Sequence, residues 1–133
     1  PFSRPLAEQY PSNPLFRIYR IKNLLLLKRY DEAGELASAE RTGGESPFYN
    51  AVLEVFNGLI QEKKHRNLTA AANHYRKGIE NLARFGPYAY EYVGYAYLGL
   101  SRISEASGNN RDARAYHRKG ADLIDFKGIT FSD

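Results

Sequence analysis

The stretch His74-Tyr75-Arg76-Lys77-Gly78-Ile79-Glu80-Asn81-Leu82 returns, lightly rearranged, as Tyr116-His117-Arg118-Lys119-Gly120-Ala121-Asp122-Leu123-Ile124. Each copy follows a helix start rich in small residues, Thr69-Ala70-Ala71-Ala72 and Asp112-Ala113-Arg114-Ala115. Similar amphipathic pieces at a fixed offset are how a helical repeat shows itself in sequence. The architecture is therefore legible from this pair, whereas the identity of a partner is not.

Outward from these copies, the rest of the chain divides into helices. Pro1, Pro5 and Pro11 make residues 1–13 a lead-in, with a short turn at Leu6 to Tyr10. Asn13 and Pro14 cap and open a first helix expected to run to about Lys28. A second starts near Asp31 and is stopped by Thr42-Gly43-Gly44-Glu45. Ser46-Pro47 opens a third, with Val52, Leu53, Val55, Phe56, Leu59 and Ile60 at helical spacing, and Asn67 caps a fourth. Gly86-Pro87 is read as the opening of a fifth helix, on which Tyr88, Tyr92 and Tyr95 share one face and Tyr90 and Tyr97 the opposite one. A helix apolar on two sides must be covered on two sides, as an inner helix of a stack is. Ser107-Gly108-Asn109-Asn110 is a stop and a cap before a sixth helix from about Arg111 to Ile124. The tail 126–133, with Phe126, Ile129 and Phe131, is expected to fold back and cap it.

Composition bounds the chemistry. The 133 residues are 43% hydrophobic, enough for a packed core. Cysteine is absent, which rules out disulfides, zinc thiolates and a cysteine nucleophile. The apolar run Leu24 to Leu27 is too short to cross a bilayer. Methionine is absent and the chain begins at Pro1, so the expectation is a fragment or processed product, and removal of an upstream signal or anchor stays open. The compartment stays open. The net charge of +4 reads first as a mildly basic surface with dispersed charges.

With the second helices aligned on Ala33, Ala71 and Ala113, the units are 38 and 42 residues apart. In the second unit Ala71, Tyr75 and Gly78 give a small residue, an aromatic four later and a small residue three after that. The third gives Ala113, His117 and Gly120, with Gly108 at the turn, and the first gives Ala33 and Ala37 after Arg29-Tyr30-Asp31-Glu32. This pattern resembles the tetratricopeptide repeat, whose period is about 34. The resemblance covers roughly residues 11–125. It implies a right-handed α–α superhelix of three hairpins, units 14–45, 46–86 and 87–125, with a capping tail at 126–133. Pro11 falls where that family ends a preceding repeat, which implies a further helix pair before Pro1. His117, in the aromatic slot, is expected to pack.

What the resemblance implies about function is a non-catalytic protein-interaction scaffold. Its groove-facing positions fall on Ile18, Lys22, Phe56, Ile60, Tyr95, Leu98 and Arg102, a mixed surface suited to an acidic peptide or partner helix. Core packing of Phe56, Ile60 and Leu98 is the alternative. Two rival functions stay open. One is binding of nucleic acid or an anionic surface through the basic patch Lys63, Lys64 and Arg66, joined by Arg76, Lys77, Arg118 and Lys119. The other is homodimerisation through exposed tyrosine faces. His65, His74 and His117 lack metal-ligand spacing, no serine sits in a G-x-S-x-G setting, and Gly43-Gly44 precedes no lysine-serine step. The expectation is therefore no enzyme and no cofactor.

Overall fold

The computed structural model describes residues 14–39 and 46–124. Among these the protein is all-α. Its helices are α1 (Pro14–Leu26), α2 (Tyr30–Ala39), α3 (Pro47–Lys63), α4 (Leu68–Leu82), α5 (Tyr90–Ala106) and α6 (Asn110–Ile124), with a 3-10 stretch, Ala83–Ala89, before α5. The lead-in with Asn13, the Gly43-Gly44 stop and the expected capping tail lie outside the described residues.

Local chemistry sets the helix ends. Ser46 Oγ accepts from the Tyr49 N–H at 3.2 Å with Pro47 in the first turn, and Asn67 Oδ1 accepts from the Ala70 N–H at 3.1 Å. Asn109 Oδ1 does the same for the Asp112 N–H at 3.2 Å. Each satisfies one of the donors a helix start leaves unpaired. Gly108 ends α5 at φ 79°, and the N–H of Asn109 reaches back to the Ser104 carbonyl at 2.9 Å.

Two expected boundaries move. The first helix stops at Leu26, short of Lys28, because Lys28 itself takes the left-handed conformation at φ 61°. Its N–H bonds the Leu25 carbonyl at 3.0 Å and the Arg29 N–H bonds that of Leu24 at 2.8 Å, the turn usually made by glycine. The fifth helix begins at Tyr90, after a break at Gly86 (φ 58°, ψ −136°). Tyr88 lies on the 3-10 stretch and is 87% exposed, so it leaves the face it was expected to share with Tyr92 and Tyr95.

The helices pack as neighbours in sequence. Helices α3 and α4 form one antiparallel pair and α5 and α6 another, while α1 and α2 touch each other and α3. Between pairs, α4 and α3 both pack on α5. Small residues allow the close crossings. A Cβ added at Gly78 would lie 2.6 Å from Val55 Cγ2, and one at Gly120 would lie 2.8 Å from Leu98 Cγ. Gly78 also faces the Ala51 carbonyl and Gly120 that of Gly94. The two pairs thus cross at corresponding points, 51 and 55 in one and 94 and 98 in the other.

Glycine is required at Gly99 of α5, where an added Cβ would meet the Tyr75 ring closer than any real Cβ approaches. At Gly34 of α2 the nearest atom would be Ile60 Cδ1, at 3.9 Å. Gly99→Ala should cost about 1–3 kcal/mol through overpacking. Gly34→Ala should add up to about 1 kcal/mol through helix propensity. Urea unfolding followed by circular dichroism checks the opposite signs.

Candidate functional site

Tyr75 of α4 is fully buried, and its surroundings come from three helices. Gly58 of α3 and Gly99 of α5 both face its ring, at distances where no side chain would fit. Its hydroxyl donates to Glu62 Oε1 at 2.6 Å. Arg102 of α5 grips the same carboxylate with two hydrogen bonds, Nε to Oε2 at 2.6 Å and Nη2 to Oε1 at 2.9 Å. Glu62 is only 6% exposed, so this charge is tolerable because it is paired. Burial, with Glu62 alongside, pushes the Tyr75 phenol well above its usual range. Burial works against the Arg102 charge, but the bonds to Glu62 outweigh it and leave its pKa raised. The cluster joins α3, α4 and α5 by shape and by charge together.

A second ionic joint lies between α1 and α5. Lys22 Nζ is 2.5 Å from Glu91 Oε2, and the two side chains are 11% and 12% exposed. Tyr95 donates its hydroxyl to the same oxygen at 2.5 Å. Beside it the Tyr92 ring makes edge-to-face contact with Phe48, Phe56 and Tyr95, each centroid 6.0 Å away. Burial is the main cause that pushes the Tyr92 and Tyr95 phenols far above their usual range.

The seven residues expected along a groove are therefore placed differently. Ile18, Phe56, Ile60 and Tyr95 are buried in the core, between 0% and 6% exposed. Leu98 packs on Gly120 within its own helix pair. Lys22 and Arg102 are both spent on the chain's own carboxylates, Glu91 and Glu62. The physical reason is the size of the rings and the span of the Lys22–Glu91 pair, which bring α1 and α5 together over that side.

The basic patch is also divided. The Lys63 side chain is 8% exposed and lies 3.8 Å from Glu62. Lys64 is bonded to Asp31 of α2, whose carboxyl is held below its usual range chiefly by that hydrogen bond. Arg66 is exposed at a left-handed turn. Arg76, Lys77, Arg118 and Lys119 are exposed on α4 and α6, with Lys77 3.9 Å from Glu54 and Lys119 over the Tyr97 ring at 5.5 Å. The tyrosine faces are only partly covered, since Tyr88 and Tyr90 are exposed. Tyr92 and Tyr95 are buried, and Tyr97 is half-buried and stacked on Tyr116 at 6.1 Å.

His117 corrects another expectation, because it is exposed rather than packed. The crossing points put Ser101 where the other pair has Gly58, and Ser101 Oγ bonds the Ala113 carbonyl at 2.7 Å. Tyr75 nests over Gly58 only because no Cβ is there. Ser101 fills that space, so the ring at 117 stands outside.

The residues that sequence reasoning missed are Glu62, Glu91 and Gly99. Glu62 was hidden in the polar run after Ile60, and the available signal was a glycine and an arginine three apart, Gly99 and Arg102, on one helix face. Among the described residues no group of three His, Asp or Glu side chains is arranged to hold a metal ion. No described helix is long and apolar enough to cross a membrane. Comparison with family models, curated proteins and solved structures finds no match to this chain.

Removing one partner from the joint leaves a buried charge alone. Glu62→Ala should destabilise the protein by about 3–5 kcal/mol. The paired replacement Glu62→Leu with Arg102→Leu should cost distinctly less, as read from urea midpoints.

The phenols give a pH signature. Tyr75, Tyr92 and Tyr95 have raised pKa values in the folded chain, so their contribution to stability is intact below the unfolded value of about 10 and is lost as pH rises past it. In a titration read at the tyrosinate absorbance, these three of the 11 tyrosines should ionise only together with alkaline unfolding.

Proposed function

We propose that this chain is a non-catalytic protein-interaction module, a right-handed arc of three tetratricopeptide-like hairpins corresponding to units 14–45, 46–86 and 87–125. The observation that carries the reading is the joint at Tyr75. There the second hairpin is seated on the next through a small residue, an aromatic ring and one ion pair, and α3–α4 and α5–α6 cross at corresponding residues. Such joints produce a rigid support at little ordering cost, which is what a binding module supplies to a more flexible partner. The step from that support to binding is an analogy at the level of architecture.

Two observations shape the reading further. The large rings and the Lys22–Glu91 pair occupy the side where the related groove would open, so the surfaces left for a partner are the outer faces and ends. Leu15, Tyr19, Leu26 and Leu27 of α1 and its following turn are 39–66% exposed at one end. The ion pairs of Lys63 and Lys64 weaken the case for a nucleic-acid or anionic-surface binder, since neutralised cations release no counterions.

Hairpin stacking makes a graded prediction, because each unit leans on its neighbours. Hydrogen exchange read by mass spectrometry should be slowest in α3 and α5 and faster in α2 and α6. Equal protection of α6 and α3 would favour one closed bundle instead, and would remove the stacked reading.

A further inference from the structure

We propose that the outer end of the α5–α6 pair is a socket for an α-helix of a partner protein, one that carries a small residue followed three positions later by arginine. The inference rests on the stacked-hairpin reading, and adds to it the place and the chemistry of docking.

The chain holds its own template. On the outer side of α3–α4 sits α5, held by Gly99 over Tyr75 and by Arg102 on Glu62. The crossing residues place Ser101, Glu105, Ala113 and His117 of the next pair where Gly58, Glu62, Ala71 and Tyr75 stand in this one. Among the described residues, those four line a cleft of about 590 Å³ between α5 and α6, together with Ala121 and Asp122. Ser101 and Ala113 form a small-residue floor, 6% and 7% exposed, where a helix can approach closely. Glu105 stands one turn further along α5, exposed and with no ion pair among the described residues. It is the counterpart of the carboxylate that Arg102 grips.

Charge and shape therefore specify the occupant. Glu105 and Asp122 offer carboxylates to a cation, and the incoming helix needs a glycine or alanine to clear His117. Arg114 and Arg118 stand on the α6 wall of the same cleft and favour an acidic side chain on the outer edge of that helix. A helix whose docking stripe is basic throughout is disfavoured by the same two guanidinium groups.

The probe is the template itself, a fluorescein-labelled peptide of residues 90–106 with a solubilising lysine tail. Its anisotropy is measured against the full chain. Saturable binding is expected, with a scrambled peptide on the same tail staying free. Glu105→Arg in the protein should weaken binding by about tenfold or more, and Arg102→Glu in the peptide should restore much of that loss. Glu105 is exposed, so an unchanged thermal unfolding curve shows that the variant is folded. Ala121→Arg, which adds bulk and positive charge at the cleft wall, is a second variant expected to block the peptide. Absence of binding, binding that ignores both variants, or binding that appears only after residues 125–133 are deleted overturns the socket. Light scattering that shows a dimer abolished by Glu105→Arg would assign the cleft to a second copy and overturn the foreign partner. A graded exchange pattern with no peptide binding removes the socket and keeps the stacked reading. Equal protection of α6 and α3 would remove that reading while the peptide result still decides the socket.

Discussion

The fold depends on one ring that has nowhere else to go. Tyr75 fills the gap between two helices whose facing residues, Gly58 and Gly99, are reduced to hydrogen. Any side chain at either position would force α3 or α5 away from α4. The same ring ends in a hydroxyl, and a buried hydroxyl needs a partner. Glu62 supplies it, and a buried carboxylate in turn needs a cation, which Arg102 brings from the next helix. Packing thus dictates the hydrogen bond, and the hydrogen bond dictates the ion pair. Three helices are brought into register by a chain of necessities that begins with the absence of two methyl groups.

Charge is handled economically. The sequence carries an excess of four positive charges, but several basic side chains near the joints are matched inside the molecule. Glu62 serves Arg102 and lies near Lys63, Glu91 serves Lys22, and Asp31 serves Lys64. What remains exposed among the described residues is a scattered set of cations, including Arg20, Lys28, Arg66 and Arg84 as well as those on α4 and α6, rather than a concentrated field. Net charge alone says little about a surface until the partners of each cation are known.

Much of the local structure could be read from the residues. Ser46-Pro47, Asn67 and Gly108-Asn109 announce helix ends because their side chains or left-handed turns meet unpaired backbone groups directly. Gly78 and Gly120 were visible as small residues at fixed spacing and do mark close crossings. Lys28 was not legible as a stop, since a lysine in the left-handed region runs against its own preference and is held there by the bonds of Arg29 and its own N–H. The groove positions failed for another reason. Periodicity tells which residues share a face, but not how far the next helix stands from that face. Phe56 and Tyr95 are buried because rings and an ion pair draw α1, α3 and α5 together, and those partners are distant in sequence. His117 shows the same limit, because its exposure is decided by a serine 16 residues earlier.

The bond between Lys22 and Glu91 has one more consequence. In an ordinary array of stacked units each piece touches only the next, so the whole can flex like a spring and its members can melt one by one. Here a charge on α1 is tied to a charge on α5, nearly shut off from water. That strap makes segments distant in sequence answer to one another. Ordinary salt, which screens exposed charges far better than enclosed ones, leaves the pair standing.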